Sequence, residues 1–245
     1  MTTPHPTNEP LPAGIARRRV LQLPATLAAV AGFGRLARSA PLPDVFDALT
    51  ERWTALHAEL DPDASGSEDA YLYELAAALT RVPVSAFPSR DRTVYDAGGL
   101  TTGPAWIGGS IFLVEVVLAP DAVLAPHNHP GFCVLTLGVE GACEVRHYEP
   151  HGDAPPAQAD TPSFQLRERL RKWITPGRSS ALTRTRDNIH AFRAGPDGAT
   201  LLDFTTQLGD TSVGFERFSA LELEGASFDA AGSVVPARWV GDPYR

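Results

Sequence analysis

With 245 residues, 43% of them hydrophobic, the chain is long enough to bury one sizeable core and to carry a small helical appendage. Its formal net charge of −8 argues against nucleic acid or an anionic membrane surface as a partner. Two cysteines, Cys133 and Cys143, are too few for a disulfide scaffold and lack the CxxC spacing, so they indicate neither a redox compartment nor a zinc site.

The first 40 residues have the layout of an export signal. Three arginines, Arg17 to Arg19, precede a mildly apolar run over 20–33, and small residues follow around 37–40. The run is too short and too weakly apolar for a membrane span, so no stable membrane anchor is expected. Because RRRVLQ (17–22) is similar to the twin-arginine signal, we predict a twin-arginine signal peptide over residues 1–40. Such a signal implies the twin-arginine translocase as an export partner and a periplasmic or otherwise extracytoplasmic location, whereas the alternative is a basic, disordered leader.

Residues 41–91 are predicted to form an N-terminal helical segment. In PDVFDALTERWTALHAEL (43–60) apolar residues recur at helical spacing, and Asp44 can cap the start. The loop DPDASGS leads to a second helical run, EDAYLYELAAALTRV (68–82), which Pro83 ends. We expect the two helices to form a hairpin packed on the rest of the chain.

Residues 92–245 are predicted to form an antiparallel β-sandwich or barrel with a C-terminal extension. Four runs rich in β-branched or aromatic residues are bounded by Gly, Pro and Asp, with no helical pattern between them. These runs span residues 105–120, 132–150, 171–177 and 199–207. Gly138 and Gly141 indicate a hairpin inside the second run, and a last strand is predicted near Trp239.

Two of the seven histidines stand one residue apart in LAPHNHPGF (124–132). In a strand, residues i and i+2 point to the same face, so His127 and His129 would project side by side, with Asn128 pointing away. Two imidazoles on an inward face are costly unless something shares their lone pairs, and a divalent metal ion is the usual solution. Two surface histidines on an edge strand would give the same pattern, but His190 offers a third ligand from a later strand.

Four separated segments carry a further signal. They are PHNHPGF (126–132), LGVEGACEVRHYEP (137–150), RDNIHAFRA (186–194) and ATLLDF (199–204). Together and in this order they resemble the cupin superfamily, and within it the thiol dioxygenases of the cysteamine dioxygenase and plant cysteine oxidase branch. The resemblance covers roughly residues 92–207. It implies a mainly β fold, the cupin (double-stranded β-helix or jelly-roll) barrel, and makes His127, His129 and His190 the three protein ligands of Fe(II).

Two departures from the family pattern bear on the metal and the substrate. Ordinary cupins carry a glutamate four or five residues after the second histidine, and here the fourth position is Cys133, which is typical of a three-histidine site. The tyrosine that follows the family's aspartate has no counterpart in LDFTTQLGD (202–210), so we expect substrate recognition to differ.

Asp203 and Cys133 are further candidate site residues. Asp203 interrupts an apolar strand, and the resemblance places an aspartate here beside the metal pocket, where it would orient a substrate amine or a ligand histidine. The alternative is an outward-facing residue in water. Cys133 has three interpretations: a buried core cysteine, a disulfide with Cys143, or a thiol that lines the site. Some thiol dioxygenases carry a cysteine–tyrosine thioether near the metal, for which Tyr148 or Tyr95 could supply the ring.

Other residues near the motifs receive simpler interpretations. His147, which follows the glycine hairpin, is predicted to lie on the surface rather than to face inward. Phe192, two residues beyond His190, would share its face and line the pocket. Arg186 and Arg193 flank the third histidine, where they would meet a substrate carboxylate or remain solvated at strand ends.

These residue types suit a thiol dioxygenase. Histidine ligands favour borderline metals such as iron, and a facial set of three leaves positions open for substrate and dioxygen. Three neutral imidazoles leave Fe(II) its full positive charge, which lowers the pKa of a coordinating thiol and holds it as thiolate. Delivery of both oxygen atoms to sulfur gives a sulfinic acid. We predict that the protein oxidises a small thiol or an N-terminal-cysteine compound with O2.

Two alternatives stay open at this point. The first is a three-histidine metal cupin oxygenase that acts on a non-thiol substrate, such as a diketone or a phenolic compound. The second is a non-catalytic periplasmic cupin that binds a metal or a small ligand. Manganese, nickel or zinc would fit the same three ligands.

Overall fold

The computed structural model describes residues 43–157, 161–208, 219–224 and 234–241. The predicted signal peptide over residues 1–40 lies outside these ranges. So do residues 209–218 and 225–233 of the predicted C-terminal extension. Within the described ranges, no helix is both long enough and apolar enough to cross a membrane.

Two α-helices precede ten β-strands in the described part of the chain. The helices are α1 (Pro43–Glu59) and α2 (Ser67–Leu79). The strands are β1 (Tyr95–Ala97), β2 (Leu100–Gly108), β3 (Ile111–Leu118), β4 (Val123–Asn128), β5 (Phe132–Pro150), β6 (Phe164–Ile174), β7 (Ser179–Leu182), β8 (Ile189–Gln207), β9 (Ala220–Leu223) and β10 (Val234–Gly241).

The two helices pack on each other and on one face of the barrel. Apolar residues of α1 recur every three or four positions and are buried, with Trp53 fully enclosed. The Nε1–H of Trp53 donates to the Tyr71 hydroxyl of α2 over 2.7 Å, and that hydroxyl lies 2.5 Å from the Thr206 hydroxyl of β8. A buried polar chain therefore connects both helices to a barrel strand, as the predicted helical hairpin requires.

The barrel closes through the pairing of β5 with β8. The strand order is β1-β2-β3-β8-β4-β9-β10-β6-β5-β7, and β5 pairs with β8 as well. Strands β8, β4, β9, β10, β6 and β5 therefore form a closed ring of antiparallel neighbours, which β1–β3 extend at β8 and β7 extends at β5. This mainly β barrel with its helical pair confirms the fold class predicted from the sequence.

The predicted hairpin at Gly138 and Gly141 is wrong, because β5 runs through both glycines as one strand. Its register against β8 shifts at both glycines, which marks β-bulges where the strand bends. A Cβ on Gly138 would lie 2.4 Å from the Thr175 carbonyl oxygen, and one on Gly141 would lie 2.1 Å from that of Gly198. These glycines permit a close approach of neighbouring backbone instead of a chain reversal.

The bulges also change which residues of β5 face inward. Before Gly138, the odd-numbered residues such as Cys133 and Leu135 pack against the helices, and Val134 and Thr136 face the barrel interior. After Gly141, the odd-numbered residues Cys143 and Val145 are interior. After Gly138, β5 has one residue more than β8, and such an insertion reverses the alternation of a strand, so His147 faces the same side as its partner His190.

Candidate metal centre

Two neighbouring strands bring His127 and His190 together. His127 lies near the end of β4 and pairs directly with His190 of β8. His129 follows the last residue of β4, and its backbone N–H donates to the Asn188 carbonyl, just before β8, over 3.2 Å. Asn128, between them, accepts a hydrogen bond from the Ser219 backbone N–H over 2.7 Å, and its side chain is thus directed away from the group, as predicted.

The ring nitrogens of the three histidines converge. The Nε2 of His190 lies 2.9 Å from that of His127 and 2.8 Å from that of His129. The potential ligand atoms of all three lie within 4.8 Å of one another, and no Asp or Glu of the described residues belongs to the group. The structure therefore assembles the predicted histidine triad.

Two of the nitrogen separations fit ligands that bind one metal ion at right angles. Two nitrogens bound to one metal at about 2.0–2.1 Å stand roughly 2.8–3.0 Å apart when the bonds are about 90° apart. The same bonds at a tetrahedral angle would separate them by about 3.3–3.4 Å. The observed 2.8 and 2.9 Å match the first case, which is the angle of an octahedral site, where three protein ligands leave further coordination positions open.

Protonation of the rings supports the same conclusion. The Nδ1 of His127 lies 2.9 Å from the Ala125 carbonyl oxygen, which can only accept, so Nδ1 carries the proton and Nε2 presents a lone pair. A proton on the Nε2 of His190 can be shared with only one of its two neighbours. At least one nitrogen–nitrogen contact therefore sets lone pair against lone pair, and a shared cation removes this conflict.

Burial keeps the triad neutral. His127 and His190 are 3% and 1% exposed, and loss of solvation lowers the pKa of His127 to about 4. Desolvation also holds the pKa values of His129 and His190 well below their usual range, and the neighbouring histidines lower them further. At neutral pH, three unprotonated imidazoles are ready to coordinate without first releasing a proton.

Phe192 and His147 flank the triad inside the barrel. The Phe192 ring centroid lies 4.4 Å from that of His190, which confirms the prediction that this aromatic residue shares the face of the third ligand. His147 pairs with His190 across β5 and β8 and is 1% exposed, so its predicted surface location is wrong. Its Nε2 lies 2.9 Å from the Ser180 hydroxyl, and its Nδ1 lacks a hydrogen-bond partner and stands 3.8 Å from Asp187.

Asp203 faces the barrel interior but does not bond to a ligand histidine. Its carboxylate accepts a 2.5 Å hydrogen bond from the Thr136 hydroxyl, and it is 7% exposed. Desolvation raises the pKa of Asp203 to about 6, against a smaller lowering by that hydrogen bond. Ser180, which contacts His147, pairs directly with Thr136, so buried polar residues connect Asp203 to the neighbourhood of the triad.

Cys133 contacts the helices and not the triad. It is fully buried in the cluster between barrel and helices, and its thiol donates to a Glu68 carboxylate oxygen over 3.3 Å. Cys133 and Cys143 are both free, so the disulfide interpretation is wrong. Tyr148 belongs to a different buried cluster from Cys133, which leaves the buried core cysteine as the interpretation that fits.

Comparison with known proteins adds information on the fold. No family model and no curated protein matches the chain. Its fold is similar to KdgF from Halomonas sp. (TM-score 0.36, 16% identity, 52% of this chain and 99% of that chain). It is also similar to a recombinant oxalate oxidase in complex with glycolate (TM-score 0.37, 14% identity, 49% of this chain and 57% of that chain). A third similar structure is an RmlC-like cupin from Shewanella frigidimarina (TM-score 0.32, 18% identity, 49% of this chain and 85% of that chain). Likeness at this level carries no argument about activity.

The closed barrel and the three convergent imidazoles define the class of protein. It is a mainly β protein with a closed antiparallel barrel, and its group of three histidines, His127, His129 and His190, can hold a metal ion. Of the features named above, sequence reasoning missed the inward-facing His147. His147 lies three residues before Pro150 in β5, beyond the register shift that changes which residues of this strand face inward.

Proposed function

We propose that the protein is a non-haem Fe(II) thiol dioxygenase that converts a small thiol or an N-terminal-cysteine compound into its sulfinic acid with O2. The observation that carries this proposal is the convergence of three neutral imidazoles, two of them buried and that of His129 partly buried, with no carboxylate of the described residues in the group. A carboxylate ligand would cancel part of the charge of a ferrous ion. Three imidazoles leave that charge intact, and it favours a thiolate over a neutral ligand.

The residues of the chain have separate tasks in this proposal. His127, His129 and His190 would hold Fe(II), and the iron when bound would supply the sites at which a thiol and dioxygen meet. The hydrogen bond from His127 Nδ1 to Ala125 fixes the ring so that Nε2 points at the centre. Phe192 covers one side of His190 and excludes water, which protects a sulfur under oxidation from competing reactions.

Polar residues of the interior would bind the part of the substrate that lies beyond its thiol group. Asp203, whose pKa is raised to about 6, is mostly ionised at neutral pH and accepts hydrogen bonds, and it can donate one as the pH falls towards 6. Thr136 and Ser180 add hydroxyl groups on the adjoining strands. A thiol with a second polar group would find hydrogen-bonding partners here, and a purely alkyl thiol would make no use of them.

The test uses the folded protein after anaerobic reconstitution with Fe(II). We expect O2 consumption in step with thiol loss across a panel of small thiols and N-terminal-cysteine peptides, and a product that has gained two oxygen atoms by mass spectrometry. His190→Ala should abolish both. His151→Ala, a change at an exposed histidine outside the site, should preserve both.

Two results would contradict the proposal in different ways. Oxygen consumption with a non-thiol carbon compound, and none with thiols, would leave a three-histidine oxygenase of another substrate class. Tight metal binding without turnover of any compound would leave a metal- or ligand-binding module.

We also propose export through the twin-arginine translocase and residence outside the cytoplasm. Support comes from the RRRVLQ segment and the apolar run that follows it. A fusion of residues 1–40 to a reporter that is active only after export should yield activity. Arg17→Lys combined with Arg18→Lys should remove it, and equal activity of the two fusions would overturn this assignment.

A further inference from the structure

The loop over residues 183–188, which joins β7 to β8, contacts both the metal centre and the helical pair. At its C-terminal end Asn188 touches His129. Near its N-terminal end Arg184 contacts α2, about 116 residues earlier in the chain. The loop is therefore a physical connection between the appended helices and one of the three metal ligands.

Asn188 holds the backbone of His129 from both sides. Its side-chain oxygen accepts from the His129 N–H over 2.9 Å, and its side-chain nitrogen donates to the His129 carbonyl over 3.0 Å. The same nitrogen donates to the Thr183 carbonyl over 2.9 Å, which closes the loop on itself. His129 lies just beyond the end of β4, and these side-chain bonds add to the two backbone bonds it keeps: its N–H donates to the Asn188 carbonyl over 3.2 Å, and its carbonyl accepts from the Phe132 N–H over 3.1 Å.

Glu68 of α2 holds the other end of the loop. Its carboxylate is 7% exposed and accepts from the Arg184 backbone N–H over 2.8 Å and from the Arg184 Nε–H over 2.6 Å. The Arg184 guanidinium also donates to the Pro62 carbonyl in the turn before α2. Charge-assisted bonds in a buried setting are strong and directional, so the loop has little freedom to shift relative to α2. The nearby Asp69–Arg186 pair is half exposed and adds little.

We propose that Asn188 is a positioning residue for the metal ligand His129 and that the Glu68–Arg184 contact fixes the loop that carries Asn188. Metal affinity then depends on a contact made by the appended helix α2. The physical reason is pre-organisation: a ligand held at its binding position loses less conformational entropy when the metal arrives. This inference rests on the metal centre of the proposed function, and it does not depend on which substrate is oxidised.

The experiment measures the affinity of the full chain for Co(II) and, anaerobically, for Fe(II), in four variants. Asn188→Ala removes the three hydrogen bonds of the Asn188 side chain, and the affinity for the metal should fall on the order of 10- to 100-fold. Asn188→Asp keeps the acceptor for the His129 N–H but loses the donor, and should give an intermediate loss. Glu68→Gln disrupts the contact with Arg184 and should cost about 2- to 30-fold. Glu74→Gln is the matched control, because Glu74 lies on the same helix, half exposed and facing Arg52.

A spectroscopic readout separates positioning from general destabilisation. The Co(II) absorption bands should change in both Asn188 variants, since the field at the metal follows the placement of His129, and should stay unchanged in Glu74→Gln. In the wild-type protein, metal addition should slow amide hydrogen exchange at Arg184 and in the first turn of α2, as well as around His129. This measurement needs no variant and remains decisive where a substitution prevents folding.

Three results would overturn the inference. The first is wild-type affinity and wild-type Co(II) bands in folded Asn188→Ala or Asn188→Asp. The second is equal metal affinity in Glu68→Gln and Glu74→Gln. The third is a rate of hydrogen exchange in α2 that does not change when metal is added. If no thiol reacts but the metal affinity still falls in the Asn188 and Glu68 variants as expected, the dioxygenase activity is refuted and the positioning role stands.

Discussion

The acid sensitivity of the metal-free protein follows directly from the buried triad. His127 has an ordinary pKa of 6.5 in the unfolded chain and about 4 in the folded one, because burial disfavours its charged form. Between these two values the unfolded chain binds a proton that the folded chain does not. The free energy of unfolding therefore falls as the pH is lowered from about 6.5 to about 4. His127→Gln removes this contribution.

The size of the effect can be worked from the two pKa values. The gap between 6.5 and about 4 corresponds to about 3 kcal/mol, at about 1.36 kcal/mol for each tenfold change in proton affinity. His127 is 3% exposed, so solvent does not screen this contribution away. The difference in unfolding free energy between wild type and His127→Gln should thus change by up to about 3 kcal/mol between pH 7 and pH 4.

The assay is urea unfolding of chelator-treated protein at several pH values, followed by circular dichroism. His151→Gln replaces an exposed histidine and should follow the wild-type curve throughout. Identical pH dependence in wild type and His127→Gln would show that His127 is solvated or already charged, and the inward-facing triad would be refuted. Addition of Zn(II) should suppress the acid sensitivity until the metal dissociates, since coordination competes with protonation.

Three further predictions concern the same interior. In metal analysis after anaerobic loading, His190→Ala should lose the bound ion and His151→Ala should keep about one per chain; equal loading would place the metal elsewhere. Asp203→Asn should be more stable than wild type by up to about 3 kcal/mol at pH 7.5 and equally stable at pH 4. The reason is that the raised pKa of Asp203 lowers the free energy of unfolding of the wild type as the pH rises from 3.8 to about 6. Denaturant unfolding that shows no gain at pH 7.5 would contradict this. Neither Cys133 nor Cys143 should react with a thiol reagent in the folded protein, since burial raises the pKa of both thiols, and both should react in denaturant; fast labelling of the native chain would argue against their burial.

Local patterns in the sequence predicted several of the elements. The apolar spacing over 43–60 predicted α1, and the run over 132–150 coincides with β5. The interval of two between His127 and His129 was enough to expect both rings on one side. These predictions succeed because a helix or strand is governed by residues a few positions apart, whose period is visible in the chain.

The errors share one cause. The glycine pair at 138 and 141 was taken for a turn, but glycine also marks a bulge, and only the position of the neighbouring strand distinguishes the two. The bulge then reversed the alternation of β5, so His147 faces inward where an outward location had been expected. For Cys133, the partner Glu68 lies 65 residues away in a helix, and no local pattern indicates that contact.

The sequence by itself therefore determined which residues have metal-binding chemistry and which segments become helices and strands. The tertiary structure decided which of these residues meet: it paired His190 with His127, hydrogen-bonded the backbone of His129 to Asn188, and turned Cys133 towards α2. The physical reason is the distance along the chain over which each effect acts. Side-chain type and periodicity act over a few residues, whereas the convergence of three imidazoles depends on strand register and on bulges fixed by contacts some 60 residues apart.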